Sequence, residues 1–184
     1  GKSGAIQVDF SQHTSDSDIY AVGDCCEVYH RVSRKWTHIA LGDIANKQGR
    51  IAGGNIGGGA FIFPGVVGAQ SFKIFTLAAA ATGVDEAEAQ LVGYHPASTL
   101  IWGNAFVSSL PGEKKLGLKL VADRATGLLL GAQSIGARGA VERINILSCA
   151  LWAGMRIEDL AYMDFAYAPP FNTAWDPNIL RPAS

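Results

Sequence analysis

Ile19-Tyr20-Ala21-Val22-Gly23-Asp24 is the stretch on which the reading of the fold turns. It is a short apolar run stopped by a glycine and then a carboxylate. Isoleucine, valine and tyrosine favour a buried strand. Asp16, Ser17 and Asp18 ahead of it supply the turn that launches one. Gly23 has no Cβ, so the backbone at the strand's end can come close to another group. The expectation is a parallel strand of an α/β sheet whose carboxyl end presents Asp24, where open α/β sheets bind their ligands. A carboxylate there accepts hydrogen bonds from ligand hydroxyls. The plainer alternative is a strand followed by a helix-capping aspartate.

Composition bounds the rest. The 184 residues hold one good core, or one domain and a piece of another. A hydrophobic fraction of 48% against 17% charged residues describes an ordinary globular chain. The net charge of −1 and the lack of a basic run argue against a nucleic-acid partner. The three cysteines, two of them adjacent, make a poor disulfide framework and suit a reducing cytoplasm. No apolar run reaches about 18 residues, so no membrane span is expected. The chain does not open on Met, and residues 5–9 read as a strand already inside a domain, so a truncated protein is expected.

Along the chain, Ala5-Ile6-Gln7-Val8-Asp9 alternates as a strand and residues 11–18 read as a loop. Cys25 and Cys26 cannot form a Cys-x-x-Cys pair and read as structural. Residues 27–37 read as a loop or hairpin. Residues 39–56 carry helical spacing through Leu41, Ile44, Ala45, Ile51 and Ala52, ended by Gly57-Gly58-Gly59. Those glycines are no phosphate loop, since neither glycine fingerprint threads through them and they follow a helix. Residues 72–76 and 92–102 read as strands, with a short helix between them capped by Asp85. His95-Pro96 has no second ligand at metal spacing. Residues 116–121 and 128–133 form a hairpin signalled by Thr126-Gly127. Residues 139–153 form a helix apolar almost all round, with Glu142 and Arg143 as its narrow polar face, buried in a core or a subunit interface. Residues 157–162 add a helical turn or two. Pro169 and Pro170 then hold an extended segment that presents Tyr167 and Phe171.

Several of these stretches resemble one family. Thr14 to Cys25 resembles the second FAD-contacting motif of the pyridine nucleotide-disulfide oxidoreductases. Phe63-Pro64-Gly65-Val66 with Lys73-Ile74-Phe75, and the tail Tyr167-Ala168-Pro169-Pro170-Phe171 with Trp175-Asp176-Pro177, resemble its NADH oxidase and coenzyme A-disulfide reductase branch. The resemblance runs from about Gly4 to Pro182. It implies the C-terminal part of a flavoenzyme. Residues 1–60 would end an FAD-binding α/β domain, 61–68 would be the junction, and 69–184 would form an α+β dimerisation domain, an antiparallel sheet with helices against it.

The resemblance also implies site residues. Asp24 and Gly23 would meet the FAD ribityl chain. The backbone N–H groups of Leu41 and Gly42 would meet the flavin pyrimidine edge, although Ala40 stands where the family has proline and Gly42 where it has alanine. A helix N-terminus stabilises negative charge there by about 0.3–1 kcal/mol. Tyr167 would act in the partner subunit beside the redox cysteine, which lies upstream of this sequence, and Phe171 would approach the partner's flavin. The implied parent is a homodimer moving electrons from NAD(P)H through FAD to a disulfide, peroxide or oxygen. The loop at residues 104–112 lacks the second tyrosine of the coenzyme A-disulfide reductases, which leaves oxidase-like or unassigned NAD(P)H chemistry open. The competing expectation is an isolated dimerisation module with no catalysis of its own.

Overall fold

The computed structural model describes residues 1, 3–112 and 115–177, and divides between Val66 and Val67 into two units. In the first unit, strands β1 (Val28–His30) and β2 (Lys35–Thr37) form an antiparallel hairpin, followed by helix α1 (Gly42–Ile56). Ile44 of α1 packs with Val28, Phe63 and Val66, and Ile39, Leu41 and Ile51 close around them. A smaller cluster joins Val8, Ala21 and Cys26.

Among the described residues, two expected strands of this unit do not form. Residues 19–22 contribute only a single antiparallel bridge, Tyr20 to His13, and Ile6 a single parallel bridge to Cys26. Ile19 is 53% exposed. The polar run before it explains the difference. Thr14 Oγ1 accepts the Asp16 N–H and Asp16 Oδ1 accepts the Asp18 N–H. The Thr14 N–H then bonds the Ile19 carbonyl. Side chains thus satisfy the backbone in a tight turn, and β propensity without a neighbouring strand makes no sheet. Gly23–Cys25 is a single turn of 3-10 helix rather than a strand end.

The second unit is an antiparallel sheet in the order β3-β4-β7-β6-β5. Its strands are β3 (Gln70–Ile74), β4 (Leu77–Gly83), β5 (Pro96–Asn104), β6 (Lys115–Asp123) and β7 (Leu129–Gly136). The β4 sequence, with four consecutive alanines, carries no strand signal, because alanine is the best helix former. Pairing with β3 on one side and β7 on the other overrides that preference. Helix α2 (Glu86–Leu91) starts at Asp85, whose carboxylate accepts the Glu88 N–H while Glu88 returns a bond to the Asp85 N–H. β5 begins at Pro96, four residues later than the apolar pattern suggests, since Val92 still caps α2.

Helix α3 (Ala140–Ala153) lies on one face of the sheet, with Ile144, Leu147, Ala150 and Leu151 buried. The Ser148 hydroxyl donates to the Ile144 carbonyl and lies 3.0 Å from Thr82 Oγ1 on β4. The apolar character of α3 therefore belongs to this unit's own core. Arg143 is not on a solvent face, as its sequence context suggests, but is 3% exposed. Its Nε and Nη2 donate to the two Asp176 carboxylate oxygens at 3.1 and 2.6 Å, Nη2 also donates to the Ala105 carbonyl, and Nη1 donates to the Gly139 carbonyl. After the short helix α4 (Ile157–Leu160) the chain returns to the start of α3, where Asp176 makes that pair.

Removing one partner of a buried ion pair strands the other, so Arg143→Met or Asp176→Ala should each cost about 3–5 kcal/mol. The double variant Arg143→Met/Asp176→Leu should cost less than the sum of the two. Urea denaturation of the four proteins checks this.

Candidate functional site

In the first unit the 3-10 turn presents Asp24 with its side chain exposed. The turn sits against α1. Gly23 has φ +75°, and a Cβ there would stand 3.1 Å from the Ala45 Cβ. Gln48, fully buried on α1, accepts the Gly23 N–H at 2.8 Å through Oε1 and donates to the Glu27 carbonyl at 3.4 Å through Nε2. His38 Nε2 lies 2.7 Å from the Asp24 carbonyl. Leu41 is the N-cap of α1 in extended conformation, and no side chain caps the first-turn N–H groups. Gly42 is exposed, and a Cβ on it would meet nothing within 4 Å. Asp43 in the same turn pairs with Lys47 at 3.0 Å. The unit thus offers an exposed carboxylate acceptor and an uncapped helix N-terminus with open space above it. Burial first, and then the neighbouring Cys25, push the Cys26 thiol up to about 11. Cys26 is a protonated core residue, while Cys25 is exposed.

In the second unit Tyr167 is 53% and Phe171 76% exposed. The two prolines do not extend the chain here. They occupy a turn in which the N–H groups of Phe171 and Asn172 both reach the Ala168 carbonyl. Asn172 locks that turn, accepting the Ala168 N–H and donating to the Ala166 carbonyl. Phe171 and Pro170 line a cleft of about 360 Å³ with Phe106, Arg138 and Glu142, at the start of α3. Asp176, five residues on from Phe171, anchors the segment through Arg143.

The sheet face away from α3 is open and apolar. Register places Phe72, Ala79, Ile135, Gly117 and Trp102 in one row across it, with Gln70, Ala81, Gln133, Lys119 and Leu100 in the next. Phe72, Leu100 and Trp102 are each about 60% exposed. Trp102 lies over Gly117, where a Cβ would stand 2.9 Å from its ring. Lys119 crosses to Glu86 at 2.6 Å. The row was readable in the period-two spacing of Phe72 with Ile74 and Leu100 with Trp102. His38, Gln48 and the Arg143–Asp176 pair gave no such signal, because each works through a residue distant in sequence. Among the described residues no group of three or more His, Cys, Asp and Glu side chains is placed to hold a metal ion, and no helix is long and apolar enough to cross a membrane.

Residues 69–179 match the family model of the pyridine nucleotide-disulphide oxidoreductase dimerisation domain. The chain belongs to this family. It is 38% identical over 180 residues to the NAD(P)H sulfur oxidoreductase (CoA-dependent) of Pyrococcus furiosus, covering 98% of this chain and 40% of that protein. To the NADH oxidase of Enterococcus faecalis it is 30% identical, covering 94% of this chain and 39% of the relative. Among solved structures, an NAD-dependent persulfide reductase from A. fulgidus superposes with a TM-score of 0.93 at 41% identity, over 97% of this chain and 33% of that one. The chain therefore spans about two fifths of the curated relatives' length. It is the dimerisation region of this family together with the segment before it, and the antiparallel sheet with helices is the α+β fold the resemblance implied.

Hydrogen bonds from Lys119, and then from Ser98, hold the Glu86 carboxyl at about 2, below its ordinary 4.5. A depressed carboxylate contributes stability above its unfolded pKa and loses it as pH falls towards the folded one. Thermal melts between about pH 5 and pH 2 should therefore show an acid-side loss that is smaller in Glu86→Gln.

Proposed function

We propose that the chain is the C-terminal portion of a homodimeric, FAD-dependent NAD(P)H oxidoreductase that passes electrons to a sulfur–sulfur bond. The match along 97% of the chain to the persulfide reductase carries this reading. Relatives named for sulfur, polysulfide or persulfide stand at 36–41% identity, the curated NADH oxidases at 29–33%. A sulfur acceptor is therefore favoured over peroxide or oxygen, despite the missing tyrosine at residues 104–112. Residues 1–60 are read as the end of the flavin domain, 61–68 as the junction and 69–184 as the dimerisation domain. The family match beginning at residue 69 supports that division. Free cysteines at 25, 26 and 149 suit a reducing, cytoplasmic setting.

The first unit fits FAD at the flavin end. The Asp24 carboxylate accepts a ribityl hydroxyl beside Gly23, and the uncapped N–H groups at Leu41 and Gly42 suit a pyrimidine edge that turns negative on reduction. FAD, when bound, supplies the two-electron carrier between nicotinamide and sulfur. Tyr167, exposed and held by the anchored tail, donates a hydrogen bond from its hydroxyl to a thiolate or reduced substrate in the partner subunit, with Phe171 packing towards the partner's flavin. A general acid of this kind contributes about 10²–10⁴ in rate. A second reading, an isolated dimerisation module without catalysis, rests on the lack of any Gly-x-Gly-x-x-Gly fingerprint in these 184 residues. A colourless purified sample supports it for the isolated chain, and flavin absorbance removes it.

In the longer protein, NAD(P)H oxidation should be faster with a polysulfide or disulfide than with oxygen or peroxide, judged by kcat/KM. The reverse order overturns the acceptor. Tyr167→Phe should leave flavin reduction by NAD(P)H near normal in stopped flow and slow the following step, whereas two unchanged half-reactions reduce Tyr167 to packing.

The open sheet face is the surface for a second copy, since stable dimers bury about 2,000 Å² or more of largely apolar surface. Sedimentation of the chain at micromolar concentration should give a dimer, and Leu100→Glu should give a folded monomer.

A further inference from the structure

We propose that His38 is a positioning residue for the flavin, aiming the Asp24 carboxylate by holding the backbone of its turn. The proposal rests on the FAD reading above. The sequence pattern leads one to expect a strand running into Asp24, yet among the described residues this stretch makes only the bridge from Tyr20 to His13. No residue of Gly23–Cys25 is buried, and beyond the close approach of Gly23 to Ala45 on α1 the turn is held by polar contacts. The Cys26 N–H closes it on the Gly23 carbonyl, and the Ile6 N–H reaches the Cys25 carbonyl at its far end. Gln48 holds the near end through the Gly23 N–H. None of these touches the carbonyl of Asp24 itself. That carbonyl is met by His38 Nε2 at 2.7 Å.

A carbonyl oxygen only accepts, so Nε2 carries the proton, and in the neutral ring Nδ1 is then the acceptor. His38 leaves the β1–β2 hairpin just after Thr37 and stands three residues before Leu41, the N-cap of α1. One hydrogen bond therefore ties the carboxylate side of the candidate site to the segment that leads into its helix N-terminus. A carboxylate on an exposed three-residue turn would otherwise wander before binding, and ordering it on binding would weaken the complex.

The experiment uses the longer FAD-loaded protein and reads the flavin dissociation constant from the fluorescence of released FAD, with flavin absorbance and melting temperature as controls. His38→Leu, which has no donor, should weaken FAD by about threefold to tenfold. His38→Gln, whose amide nitrogen donates at similar reach, should recover most of that loss. In an Asp24→Ala background, His38→Leu should add almost nothing, because its effect passes through the carboxylate. Unchanged affinity in His38→Leu, an equal loss in His38→Gln, or full additivity with Asp24→Ala overturns the role of His38 while leaving the flavin reading intact. Unchanged affinity in Asp24→Ala alone overturns the flavin role of Asp24, and this inference with it.

Discussion

A guanidinium withdrawn from water must find its partners inside the protein, and Arg143 sets that condition for the second unit. The residue sits in the first turns of α3 with its five donors out of solvent. The Gly139 and Ala105 carbonyls satisfy part of the need, one from the helix's own start and one from the end of the β5 strand region. Among the described residues Asp176 supplies the opposite charge, so the C-terminal segment has to return to the start of α3 to deliver it. A pair of this kind adds little net stability over an apolar replacement, but it tolerates very few arrangements of the chain. The exposed positions of Tyr167 and Phe171 follow from that. They hang between α4 and the anchor, on a segment whose end is fixed and whose turn is locked by Asn172.

The first unit reaches a similar result without burial. No residue of the Asp24 turn is itself buried, and a short 3-10 helix is a poor platform by itself. Its rigidity comes from polar contacts to α1 and to the segment before α1, through Gln48 and His38. Gly23 allows those contacts, because its left-handed backbone and missing side chain let the turn lie directly against Ala45. Both units thus place exposed, chemically useful groups by hydrogen bonds to residues far away in sequence, while their hydrophobic clusters only fix the framework.

The sheet of the second unit divides its labour by strand alternation. Leucines 116, 118 and 120 face α3 and close the core, while the residues between them face outward among Phe72, Leu100, Trp102 and Ile135. Glycine at position 117 flattens that outer face enough to seat the Trp102 ring. Lys119 and Glu86 add a charged pair, beside Gln70 and Gln133, to a face that is otherwise apolar.

What the sequence alone determined was whatever is encoded locally. The cap of α2 at Asp85, the helical spacing of α1, the apolar run of α3 and the Thr126-Gly127 turn between the strands β6 and β7 each lie within a short stretch, so they could be read and were found. The family motifs at Asp24 and around Tyr167 were legible for the same reason. The tertiary structure decided what depends on a distant partner. Residues 19–22 have strand propensity but, among the described residues, no strand to pair with, and they make a single bridge after the polar turn. The alanines of β4 become a strand because β3 and β7 flank them. Arg143 reads as a surface charge until Asp176, 33 residues later, meets it in the interior. His38 and Gln48 read as ordinary polar residues until the fold brings them to the backbone of the Asp24 turn. Propensity is a property of a few neighbouring residues, whereas pairing and burial belong to the folded chain.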